Sequence, residues 1–146
     1  MLFGGCSIRS KVNKNEHTFI VQIKEGNGSP IGHTYTIQPY HIKVEKCNYI
    51  RTECSKRKTI YYRKISKEVA DSIRFFLSKN ISHIDTLYEV AMLGGLFWEI
   101  ECSVPYSKSI RVENTYVPKV DELFTMINRL IKKQNIKIPL TDFFSH

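Results

Sequence analysis

The sequence predicts an α+β domain: a mostly antiparallel sheet of about five strands with two or three helices packed on one face, in the order βββα(α)ββα. Three observations carry that expectation. Apolar and polar residues alternate through much of the first 65 residues and again from Leu96 to Val112, the period of half-buried strands. The segments after Ser66 and Val117 switch to helical spacing. No linker, repeat or low-complexity stretch divides the 146 residues, so residues 1–146 read as one domain with helices following strand meanders.

Taken in order, residues 1–16 are polar and basic and read as a loosely held or edge segment. "HTFIVQIK" sets Phe19, Val21 and Ile23 against polar neighbours as a first strand, and "EGNGSPIG" is a turn. "HTYTIQPYHIKVEK" continues the alternation as a second strand; Pro39, which donates no ladder hydrogen bond, marks a bulge or an edge in it. "RTECSKRK" reads as a polar turn and "TIYYRKI" as a third strand. Ser66 is an N-cap for a helix carrying Val69, Ile73, Phe76 and Leu77, and Glu68 suits the positive end of its dipole. Ile84, Leu87, Tyr88 and Ala91 suggest a second short helix. Leu96, Trp98, Ile100, Cys102 and Val104 form the inward face of a strand that Pro105 ends, and Ile110 and Val112 face inward on the return. Pro118 opens a helix whose stripe is Val120, Leu123, Phe124, Ile127, Leu130 and Ile131. The tail beyond is apolar enough to dock on the body.

"GGLFWEI" and "RVENTYVPKVDELFTMINRLI" resemble the C-terminal half of small uncharacterised bacterial α+β proteins, whose pattern is Asp-Gly-x-x-Trp-x-Leu, a polar hairpin, then Asn-x-Tyr-Pro-x-x-Phe-x-x-Leu. Gly95, Trp98, Ile100, Asn114, Tyr116 and Leu123 match or nearly match; Gly94 replaces the aspartate, Val117 is inserted before Pro118, and Val120 replaces the phenylalanine. The resemblance covers about a third of the chain. It implies topology and a bacterial origin, and no activity.

Several function classes find little support. The composition, 42% apolar and 25% charged, is that of a globular domain with a core of its own, and no apolar run approaches the ~20 residues of a membrane-spanning helix. "MLFGGCS" faintly resembles the end of a lipoprotein signal. Without the preceding charged and apolar regions the expectation is a cytoplasmic protein; an exported lipoprotein anchored through Cys6 is the alternative if the start is incomplete. Cys6, Cys47, Cys54 and Cys102 show no zinc-like spacing. They read as free thiols in a reducing compartment, although Cys47 and Cys54 could close a disulfide across a hairpin in an exported protein. Glu99 and Glu101 project from one strand face with no neighbouring His or Asp motif, and Cys102 sits on the core face, so both features read as scaffold. His17, His33, His41, His83 and His146 are scattered singly, and neither "GNG" nor "GG" opens a phosphate loop. No catalytic residue, cofactor or metal is expected.

Charge is the departure from average. Residues 43–67 hold nine Lys and Arg against Glu45 and Glu53, a surplus of +7 out of +8 for the whole chain. Folded as a hairpin, this segment presents a positive patch interleaved with tyrosines. Such a patch suits an acidic protein partner, such as a toxin or enzyme, because complementary charge speeds encounter. It also suits nucleic acid, where tyrosines stack on bases, or it is a solvated edge hairpin. No helix-turn-helix, zinc finger or RNA-recognition motif accompanies it. The resulting expectation is a non-enzymatic binding module of immunity or inhibitor type. Its predicted partner-binding residues are Arg51, Lys56, Arg57, Lys58, Arg63, Lys64, Tyr49 and Tyr61. A nucleic-acid-binding module using the same patch is the alternative.

Overall fold

The computed structural model describes residues 20–50, 53–90, 95–103 and 107–145. Its strands are β1 (Val21–Gly26), β2 (Ile31–Gln38), β3 (His41–Ile50), β4 (Glu53–Lys64), β5 (Leu87–Glu89), β6 (Phe97–Cys102) and β7 (Lys108–Glu113). The helices are α1 (Lys67–Asn80) and α2 (Pro118–Asn128). All seven strands join one sheet in the order β4-β3-β2-β1-β6-β7-β5, antiparallel except where β5 runs parallel to β7. The fold is therefore α+β as the sequence predicts, with seven strands instead of about five.

The differences have local causes. The single strand expected over 33–46 is two, because Pro39 and Tyr40 form a tight turn between Gln38 and His41, which pair with each other. A proline there forfeits no ladder bond. The polar stretch expected as a turn after residue 51 is already strand from Glu53, paired with β3 from Ile50 onward. An edge strand can be polar on both sides, so its composition hides it. The short helix expected around Ile84–Ala91 is instead a 3-10 turn at Ile81–His83 followed by β5. Ile84 is extended, and Tyr88 takes a place opposite Val112; pairing with β7 overrides the helical spacing. Ala91 and Val104 lie outside the described residues, as do residues 1–16.

Elsewhere the expected signals act as read. The Ser66 hydroxyl accepts from the Val69 N–H at 3.3 Å, and Pro118 opens α2. Val21, Ile23, Tyr35, Ile37, Ile42, Val44, Trp98, Ile100, Cys102, Ile110 and Val112 form one sheet face, buried against Ala70, Ile73 and Leu77 of α1 and Val120, Leu123, Phe124 and Ile127 of α2. Trp98 packs on Phe124 with ring centroids 6.1 Å apart. The tail docks as its composition suggests: the Asn128 carboxamide both accepts from Ile138 N–H (2.7 Å) and donates to Ile138 C=O (2.9 Å). Thr141, fully buried, accepts from Val117 N–H and donates to Asp121. Gly95 and Asn114 meet at one corner. Gly95 has φ +103, and a Cβ on it would lie 1.9 Å from the Asn114 Oδ1, so only glycine fits. Among the described residues no helix is long and apolar enough to cross a membrane.

Candidate functional site

The basic segment does fold into a hairpin, β3 with the outermost strand β4, but its cations do not share one face. Two β-bulges, between Val44 and Glu45 and between Asn48 and Tyr49, shift the pairing. Each skips one β4 residue and so reverses which side the following residues take. On the side away from the helices, Lys43, Glu45, Cys47 and Tyr49 stand opposite Tyr62, Thr59, Arg57 and Cys54. On the helix side, Ile42, Val44, Lys46 and Asn48 stand opposite Arg63, Tyr61, Lys58 and Lys56.

The helix-side row divides into two parts with different work. Tyr61 and Arg63 belong to the scaffold: the Tyr61 hydroxyl (3.0 Å) and an Arg63 N–H (2.9 Å) both donate to the Leu130 carbonyl just beyond α2. That carbonyl lies past the end of α2 at Asn128, so the two side chains supply donors that the helix does not. Further along, Lys46 and Lys58 face each other directly across the ladder, with Lys56 two residues on. All three are exposed, and none of the ion pairs among the described residues includes them. Across β3, Lys46 neighbours His33, whose Nδ1 lies 3.2 Å from Glu25.

On the opposite side the charge is largely met. Glu45, 6% exposed, lies 3.4 Å from both Lys43 and Arg57. The Arg57 guanidinium is held above its ordinary value first by a hydrogen bond to Cys54. Tyr49 leans over Gly32, where a Cβ would come within 2.8 Å of its ring, and burial raises its phenol. Together Tyr49 and Phe97 flank a cleft of about 300 Å³ that also takes in Lys24, Ser29, Glu99 and Arg111. Glu99 pairs with Arg111, whose guanidinium stands 5.5 Å over the Phe97 ring.

Of the predicted partner-binding residues, the structure brings Lys56 and Lys58 together and turns Arg57 and Tyr49 to the other face. It ties Arg63 and Tyr61 to Leu130, and Lys64 lies six residues, about 20 Å at strand rise, from Lys58. Arg51 lies outside the described residues. Lys46 completes the row; the sequence places it in the basic block, but only the register reveals it opposite Lys58. Glu99 and Glu101 stand on the sheet face away from the helices, and Cys102 is in the core, where burial pushes its thiol up to about 12. Among the described residues no group of three or more His, Cys, Asp or Glu side chains is placed to hold a metal ion. No family model matches the chain, and comparison with curated proteins finds no match either.

Proposed function

We propose that this chain is a non-enzymatic binding module of immunity or inhibitor type, bacterial and cytoplasmic, that captures an acidic protein partner at the outer end of the β3–β4 hairpin. The observation that carries this reading is the Lys46–Lys58 pair with Lys56 beside it, exposed and without a carboxylate partner among the described residues. Like charges directly opposite each other in a sheet weaken the fold. A carboxylate at either position would relieve the repulsion, so retaining both lysines favours a use for the surplus charge outside the fold. Among the described residues β4 is the sheet edge, so its outer backbone groups offer pairing to an added strand. The lysines restrict that offer to partners bearing carboxylates.

The tyrosines favour protein over nucleic acid. Tyr61 is tied to Leu130, Tyr49 lies against Gly32, and the exposed Tyr62 stacks on His41 on the face away from Lys46 and Lys58. The discriminating experiment measures binding of poly-glutamate, single-stranded RNA and duplex DNA across a salt series, using the wild type and K46E/K56E/K58E. The proposal expects poly-glutamate to bind at low salt and to be lost in the triple variant. Tighter binding of RNA or DNA would transfer the surface to nucleic acid, and no binding of any polyanion at low salt would remove it.

A further inference from the structure

The same hairpin contains a second feature, on its other face, that does not depend on the binding proposal. Cys47 and Cys54 are seven positions apart, and in an unbroken ladder they would point to opposite sides. Cys47 pairs with Arg57 and Asn48 with Lys56, so continuing in step would put Cys54 opposite Ile50, on the side away from Cys47. The bulge after Asn48 prevents this. Ser55 is the skipped residue, its hydroxyl donating to the Asn48 carbonyl at 2.8 Å, and Cys54 moves opposite Tyr49 on the Cys47 face. The two thiols now share one face as diagonal neighbours across the ladder, Cys47 opposite Arg57 and Cys54 opposite Tyr49.

Their surroundings differ in a way that suits a division of labour. Cys47 is fully buried, with its sulfur 3.8 Å from the Thr34 hydroxyl. Cys54 is partly exposed and donates to the Lys56 carbonyl at 3.6 Å, with Arg57 farther along the same face. A thiol that solvent reaches is where oxidants react; a protected thiol on the same face is placed to resolve the product. Both sulfurs are free thiols in this structure.

We infer that Cys54 is an oxidation site for hydroperoxides and that Cys47 resolves it, so that the bulged hairpin closes into a Cys47–Cys54 disulfide. In the first step the Cys54 sulfur attacks the terminal peroxide oxygen. The O–O bond breaks, and the departing alkoxide or hydroxide takes up the proton released by the thiol, leaving a sulfenic acid. The Cys47 sulfur then attacks the Cys54 sulfur. The S–O bond breaks, and the departing hydroxide combines with the Cys47 proton as water. The peroxide is reduced, two thiols are oxidised, and no further reagent is required. Arg57 is a positioning residue: it stands opposite Cys47 on the thiol face, with its guanidinium paired to Glu45, which Lys43 also meets.

The test treats the full chain carrying Cys6→Ser with equimolar hydrogen peroxide and follows intact mass and peptide maps. The expected result is the loss of two hydrogens with Cys47 and Cys54 joined within one chain. Cys47→Ser should then accumulate a sulfenic acid at Cys54 that dimedone traps, and Arg57→Gln should slow oxidation about 3–10-fold. The inference is overturned if both cysteines still alkylate fully after peroxide, or if Cys54 advances to sulfinic acid in the presence of an intact Cys47 thiol. An unchanged rate in Arg57→Gln would remove the role given to Arg57.

Discussion

Replacing Lys58 by glutamate should make the protein more stable and a poorer binder at the same time. Lys58 stands directly opposite Lys46, so the substitution exchanges a like-charge cross-strand pair for an opposite-charge one. Each half of that exchange is worth about 0.2–1 kcal/mol on an exposed sheet face, giving a gain of about 0.4–2 kcal/mol. For a domain of this size a gain of that order raises the midpoint of thermal unfolding by about 1–8 °C. The origin is electrostatic, so the gain should shrink toward zero in ~1 M salt, where the screening length is about 3 Å. The assay is urea and thermal unfolding at low and high salt, with Lys46→Ala added to form a double-mutant cycle. Poly-glutamate affinity, read on the same samples, should fall. The reasoning is refuted if K58E is no more stable at low salt, or if its gain survives high salt and the removal of Lys46.

Other consequences separate scaffold from surface. Tyr61→Phe should cost about 0.5–1.5 kcal/mol in urea unfolding and Arg63→Met about 1.5–3, since each removes a donor to the Leu130 carbonyl, and neither should change polyanion binding. Gly95→Ala should destabilise by at least about 1–3 kcal/mol, because the residue is at φ +103 and its new methyl would strike Asn114; circular dichroism melting reads it directly. At alkaline pH, burial keeps the Cys102 thiol protonated up to about 12 against an ordinary 9.0. Between those values the unfolded chain sheds a proton that the folded chain retains, so stability should be complete below about 9 and decline as pH rises toward 12. Tyr35, raised by burial in the same direction, extends the decline, and Cys102→Ala should flatten only the thiol's share in a pH series of urea midpoints.

The elements with a regular period were legible in the sequence. Trp98, Ile100 and Cys102 are buried on one side of β6, and Ser66 and Pro118 start their helices, because each of these signals is local and agrees with the packing around it. The elements that escaped are held by distant partners. The β5 strand exists through β7, and the polar length of β4 exists through β3. The candidate site suffered most from the bulges. A block of nine cations was visible, yet which of them share a side depends on two skipped residues in β4, Ile60 and Ser55, that no alternation pattern announces. Lys46 therefore does not stand out in the sequence, whereas Arg63 and Tyr61, which do by residue type, anchor Leu130. The sequence offers Cys47 and Cys54 as a cross-hairpin pair, but the bulge at Ser55 that sets both on one face is visible only in the register.

Mapping of amide chemical-shift changes on isotope-labelled protein during titration with poly-glutamate tests the binding surface most directly. The account predicts changes concentrated at Lys46, Asn48, Lys56 and Lys58, vanishing in K46E/K56E/K58E while the rest of the spectrum stays folded. Changes centred instead on the Phe97–Arg111 cleft, or spread evenly over the lysines of the whole molecule, would contradict it.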